Sequence, residues 1–198
     1  GAMQSVTVAT VLRTAWAMVL GRYTDSRDVT FGSTVSGRQA PVNGLDTMTG
    51  AVTATVPVRV RWDTGSSATH LLERVQEQAV EMVPYEQFGL QNIAKISDAT
   101  RAACDITSLL VVQPMKYLAG SAEDVMSQRN MDDEPAEELP EGFFNYGLVA
   151  QGYVYDDSVN FVLTYKPTVL MEAEVRGLAK HYENVVHQLL ENPSTEVG

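Results

Sequence analysis

Between Val52 and Trp62 the chain alternates with a strict period of two. Every even position is apolar (Val52, Ala54, Val56, Val58, Val60, Trp62), and the odd positions hold Thr53, Thr55, Pro57, Arg59 and Arg61. Such a period puts all the apolar side chains on one face, so the stretch predicts a strand with one side in a core. Pro57 has no N–H to give to a ladder, which places the strand at a sheet edge or a bulge. Ligand channels often run beside such places. The pattern by itself fits an ordinary edge strand as well as a channel-lining one.

The surrounding periodicities supply the partners of this strand. Ser5 to Leu20 reads as a helix, with Val8, Val11, Leu12, Ala15 and Val19 on one stripe, Ser5 as its cap and Gly21 where it stops. Asp28 to Ser36 is a strand rich in β-branched residues, and the Gly- and Pro-containing loop Gly37 to Thr47 leads into the alternating one. A second helix begins near Ser67 or Thr69 and buries Leu71, Leu72, Val75, Ala79 and Met82. Glu73, Glu77 and Glu81 share another of its faces, and Pro84 stops it ahead of a short segment running to about Ile96. Ile106 to Gln113 is almost continuously apolar, as expected of a strand covered on both faces. Leu148 to Tyr155 and Val159 to Lys166 form a hairpin, followed by a helix from Met171 to Leu190 with a stripe of Val175, Leu178, Tyr182, Val185 and Leu189. The order predicts an α/β fold, a two-layer mixed sheet with packed helices. Periodicity is missing only from Met115 to Phe143, where six carboxylates stand between Asp132 and Glu141. Its acidic part, Met126 to Gly142, is expected to be the most mobile internal segment.

Charge and composition exclude whole classes of function. A net charge of −11 argues against a phosphate-tracking nucleic-acid surface. No apolar run approaches the ~20 residues that cross a bilayer. The single cysteine, Cys104, allows no internal disulfide framework and suits a reducing, cytoplasmic setting. The opening Gly-Ala-Met-Gln fits no signal peptide, and residues 1–4 read as a remnant of tag cleavage.

Catalytic chemistry is harder to find. His70, His181 and His187 fall on predicted helices, and none has an aspartate four residues on. No Cys or His companions stand at zinc-ligand spacing, and the acidic run lacks the spaced Asp/Asn–Gly pattern of a calcium loop, so no metal is expected. Cys104 has no flanking group to lower its pKa except Arg101. Neither a Walker loop nor a dinucleotide-binding Gly motif occurs.

From Thr30 the run TFGSTVSGRQAPVNGLDTMTGAVTATVPVRV resembles the C-terminal lobe of condensation domains from nonribosomal peptide synthetases. In that family a strand ending in Gly-Arg leads through a loop to a Gly-x-Phe-Val-Asn-Thr-x-x-x-Arg strand. Gly37-Arg38 and the segment from Gly50 to Arg59 match these, and Pro84-Tyr85-Glu86 matches the Pro-Phe-Glu that follows a helix. The apolar strand ending in Gln113-Pro114, the hairpin and the last helix keep the family order, so the resemblance spans Val6 to Pro193. Val52 replaces the family's phenylalanine and Ala54 its asparagine, and the family's Arg-Asp-x-Ser-Arg-Asn-Pro-Leu is hardly recognisable in Arg101 to Leu109. Such divergence suits a fungal-like synthetase.

The resemblance implies a chloramphenicol acetyltransferase-like lobe over residues 5–198. Ser36, Arg38, Thr53, Ala54 and Thr55 would line a substrate tunnel, and Gly37, Gly50, Arg59, Pro84, Tyr85 and Glu86 would hold its walls. The reaction implied is attack of an acceptor amine or hydroxyl on a thioester carried by a phosphopantetheine arm. No cofactor would bind this lobe directly. The implied partners are the N-terminal lobe of the same domain and peptidyl carrier proteins. The family's His-His-x-x-x-Asp-Gly signature does not occur in the chain, so no catalytic residue is assigned and the chain alone is expected to be inactive. Its uncovered apolar surface should make it self-associate weakly. The alternative is a non-catalytic carrier-protein or protein-interaction module on the same fold.

Overall fold

The computed structural model describes residues 6–35, 54–114, 136–138 and 146–192. Helix α1 (Val8–Thr24) leads into strand β1 (Asp28–Val35), and β2 (Ala54–Arg61) follows. Helix α2 (Ala68–Met82) runs into a 3₁₀ turn (Val83–Tyr85) and the short helices α3 (Leu90–Ile93) and α4 (Asp98–Ala103). Strands β3 (Ser108–Pro114), β4 (Ala136–Glu138), β5 (Leu148–Val154) and β6 (Val159–Tyr165) precede the last helix, α5 (Glu172–Glu191). The six strands form one sheet in the order β2-β1-β3-β5-β6-β4. β1, β3 and β5 run parallel to one another, while β2 and β6 are antiparallel to their neighbours β1 and β5.

One face of the sheet carries the helices. Val56, Val58 and Val60 of β2 join Val29 and Phe31 of β1, Leu110 of β3, Leu148 and Ala150 of β5 and Leu163 of β6 beneath α1, α2 and α5. At the centre, Tyr182 of α5 meets Trp16 edge-on with centroids 5.3 Å apart and Phe161 at 4.8 Å. Its hydroxyl donates to the Leu12 carbonyl at 3.1 Å, and burial pushes its phenol pKa well above the usual value. This is the two-layer α/β architecture that the element order predicts.

The alternation in β2 appears as expected: Val56, Val58, Val60 and Trp62 are buried, and Arg59 and Arg61 are exposed. β2 is an edge strand, and its register with β1 runs unbroken from Asp28↔Arg61 to Val35↔Ala54, so Pro57 marks an edge and not a bulge.

Several local expectations are corrected. Thr7, not Ser5, caps α1 through its side chain, and the helix continues past Gly21 to Thr24, ending at Asp25 in the left-handed region (φ 49°). Gly21 is instead a packing residue: a Cβ there would lie 2.5 Å from both the Ser26 carbonyl oxygen and the Trp62 ring. Of the two cap candidates for α2, Ser67 does the work. In α5 Val186 is buried and Val185 only half-buried, because the stripe drifts by one position over five turns. The stretch Met115 to Phe143 is not without structure, since Ala136–Glu138 adds a parallel strand to β6. The remainder of that acidic stretch lies outside the described residues. Helix α4 escaped the sequence reading because six residues capped by Ser97 are too few to show a period.

Candidate tunnel wall at the open end of the sheet

Burial along β3, β5 and β6 falls from one end of the sheet to the other. Ser108, Leu109 and Leu110 are buried, Val111 and Val112 half-buried, and Gln113 and Pro114 exposed. In β5 the sequence runs from buried Leu148, Val149 and Ala150 to half-buried Tyr153 and Val154, and β6 mirrors it. β3 is therefore covered on both faces over only its first half. The open end collects the carboxyl ends of parallel β1, β3 and β5 with the starts of β2 and β6. Ligands of open α/β sheets bind at the carboxyl ends of the parallel strands, because the chain leaves the sheet there and frees side chains and backbone groups for contact.

Of the tunnel residues inferred from the sequence, only Ala54 and Thr55 are among the described residues, and both stand at this end. Thr55 pairs with Thr34 of β1, and both are half-buried on the face opposite the helices. Ala54 points the other way and packs against the hydrophobic core. Ser36, Gly37, Arg38, Gly50 and Thr53 lie outside the described residues.

The Pro84-Tyr85-Glu86 motif divides into an inner and an outer part. Tyr85 is 67% exposed, whereas Glu86 is buried at 8%. The Glu86 carboxylate acts on Arg13 of α1, whose Nε donates to the buried Ser33 hydroxyl at 3.2 Å. Burial lowers the pKa of the Arg13 guanidinium, and the nearby Glu86 charge opposes that shift. The turn after α2 is thus tied electrostatically to α1 and β1. Sequence reasoning missed Arg13, although a cation directly after the core residue Leu12 was the available signal. Another tie joins the helices, where the Gln76 side-chain oxygen accepts from the Thr10 hydroxyl at 2.5 Å and from the Thr7 amide at 3.1 Å.

Arg59 has a structural part on the opposite face from Val58. Its Nε donates to Asp28 Oδ1 at 2.7 Å and its Nη2 to Asp28 Oδ2 at 2.5 Å, clamping the edge strand to β1. The guanidinium holds the Asp28 carboxyl below the usual carboxylate range. The Arg59 carbonyl, on the outer edge, accepts from the Gln78 side chain at 2.9 Å. Arg59, Arg61, Arg74, Gln78 and Glu81 border a shallow depression of about 230 Å³ between β2 and α2. It is open, mixed in charge and away from the open end.

His70, His181 and His187 are all exposed, and His181 Nδ1 shares a 2.9 Å hydrogen bond with the Tyr23 hydroxyl. Burial raises the Cys104 thiol pKa, so it stays protonated at neutral pH. Among the described residues, no three His, Cys, Asp or Glu side chains are grouped to hold a metal ion. No described helix is long and apolar enough to cross a membrane.

The sequence profile of the Condensation domain family matches residues 2–198. The chain belongs to the condensation-domain family. Among curated proteins it is 38% identical over 192 residues to the nonribosomal peptide synthetase TES of Alternaria alternata, covering 96% of this chain and 4% of that protein. It is 36% identical over 193 residues to the N-benzoylphenylalaninol synthetase apmA of Penicillium brevicompactum, covering 97% of this chain and 8% of that one. The fold matches the first condensation domain of the calcium-dependent antibiotic synthetase with a TM-score of 0.65 at 18% identity, over 96% of this chain and 40% of that structure. The fungal relatives accord with the divergent motifs of this condensation domain.

Proposed function

We propose that the chain is the C-terminal lobe of a nonribosomal peptide synthetase condensation domain, and that it forms one wall of the tunnel in which thioester-tethered substrates are joined through an amide or ester bond. Its work is positional: it holds the acceptor chain against the thioester, lowering the entropic part of the barrier, while a histidine of the companion lobe handles the proton. The carrier proteins that bring the phosphopantetheine arms dock partly on this lobe. The observation that carries this reading is the placement of Thr55. It stands at the start of β2, half-buried, on the face away from the core and at the open end of the sheet.

The test is Thr55→Trp in the intact synthetase, followed by single-turnover transfer between carrier domains beside a thermal melt. Transfer should fall at least tenfold while the melt stays within the ±0.5 kcal/mol typical of surface changes. Unchanged transfer would remove Thr55 from the tunnel. The isolated chain should give no product above the enzyme-free control by intact-protein mass spectrometry.

A further inference from the structure

The row of β1 that faces the helices is Val29, Phe31, Ser33 and Val35. Three of these belong to the hydrophobic core, and the fourth is a serine with no exposed surface. Register sets Ser33 between Val56 of β2 and Leu110 of β3, both buried. An apolar residue there would need no partner, and apolar replacements of buried polar groups are often neutral or stabilising. A polar residue in such a row breaks the local pattern, and breaks of that kind concentrate at functional sites.

The Ser33 hydroxyl accepts from Arg13 Nε at 3.2 Å and donates in turn to the Thr34 carbonyl in a long contact of 3.5 Å. Arg13 is half-buried on α1. Glu86, the one buried charged residue among those described, lies near enough for its carboxylate to act on the guanidinium. A buried charge needs a partner, so the two hold each other in place. Three elements thus meet behind the strand: α1 through Arg13, β1 through Ser33 and the turn after α2 through Glu86. Alternation puts Ser33 on the helix side and Thr34 on the other, where it pairs with Thr55. The chain of bonds from Arg13 therefore ends on the backbone of the residue across from Thr55. A guanidinium carries its donors in a rigid fork and keeps its charge, which fixes one geometry more firmly than an ammonium does.

We propose that Arg13 is a positioning residue for the condensation reaction: through Ser33 it holds the end of β1, and with it the Thr34–Thr55 pair of the tunnel wall, in place beside the reacting groups, while Glu86 fixes Arg13. This rests on the tunnel reading above. Arg13 and Ser33 lie on the helix side of the sheet and touch no substrate; they act through the strand. The inner residue of the Pro84-Tyr85-Glu86 motif thereby acquires its part, which is to back the wall from behind.

The experiment uses the intact condensation domain, both lobes present, with the loaded acceptor carrier supplied at rising concentration and transfer followed in single turnovers. Ser33→Ala removes the acceptor of the Arg13 bond with the loss of one heavy atom. It should lower the rate at saturating carrier about tenfold and leave the half-saturating concentration unchanged, because misplaced reacting groups slow the step without disturbing docking. Arg13→Met should do the same, and Arg13→Lys, which keeps the charge, should fall between it and the parent. The double variant should be no slower than Arg13→Met, since both changes cut one connection. Ser33→Ala carries the test if Arg13→Met lowers the melting temperature. An unchanged saturating rate in Ser33→Ala, a defect confined to the half-saturating concentration, or losses that multiply in the double variant overturns the proposal. Thr55→Trp in the same assay separates the two ideas. If it blocks transfer while Ser33→Ala transfers normally, the tunnel stands and the positioning assignment falls alone. If Thr55→Trp does nothing, the tunnel reading falls and takes the positioning assignment with it.

Discussion

The two ends of the sheet use the same strands for opposite purposes. At the closed end, β3, β5 and β6 bury both faces: Leu110, Ala150 and Leu163 lie under the helices, and Leu109, Val149 and Thr164 lie on the reverse side. Gly32 shows how tight that reverse side is, since a Cβ there would stand 2.9 Å from Ile106 and 3.0 Å from Leu109. At the open end the same strands carry Gln113, Gln151, Tyr153 and Asn160, which are exposed or half-buried. A residue two positions further along a strand thus passes from packing to display. Stability is concentrated at one end, which leaves the other free to vary with substrate.

The sharpest way to break this comparison is to truncate neighbours on a single strand. Leu110→Ala removes a fully buried side chain and should cost about 2–5 kcal/mol in denaturant unfolding, whereas half-buried Val111→Ala should cost under about 1 kcal/mol. Equal losses would mean that the open end is packed as firmly as the closed one.

Gly21→Ala tests the closed packing from the helix side. The added methyl has no room between the Ser26 carbonyl and Trp62, so a loss of about 1–3 kcal/mol is expected despite alanine's better helix propensity. A stabilised variant would show that the α1 end can shift freely.

The smallest expected effect concerns the edge clamp. Because Arg59 holds the Asp28 carboxyl below its ordinary range, the pair contributes fully above that range and its contribution is lost as pH falls through the lowered value. Asp28→Asn should therefore flatten slightly the drop in melting temperature between about pH 6 and about pH 3. Both partners are substantially exposed, so the change should be small and should shrink further in salt. An unaltered slope would leave the clamp without energetic weight.

Much of the architecture could be read from the chain because it rests on local periodicity. The alternation in β2, the stripe of α5 and the hairpin around Asp156-Asp157-Ser158 each declare their buried side within a dozen residues, and the motifs around Gly37, Gly50 and Pro84 indicated the family. Gly21 was misread for a physical reason: a glycine near a helix end looks the same whether it stops the helix or makes room for a distant indole. β4 was missed because three residues carry no period.

The amino-acid sequence by itself determined which segments are strands and helices, which of their faces are apolar, and to which family the chain belongs. Only the tertiary structure decided that Pro57 sits on an edge without a bulge, and that Glu86 turns inward toward Arg13 while Tyr85 stays out. These are matters of register and proximity between residues far apart in the chain. Periodicity reports the direction in which a side chain points, and the folded sheet alone sets what it meets there.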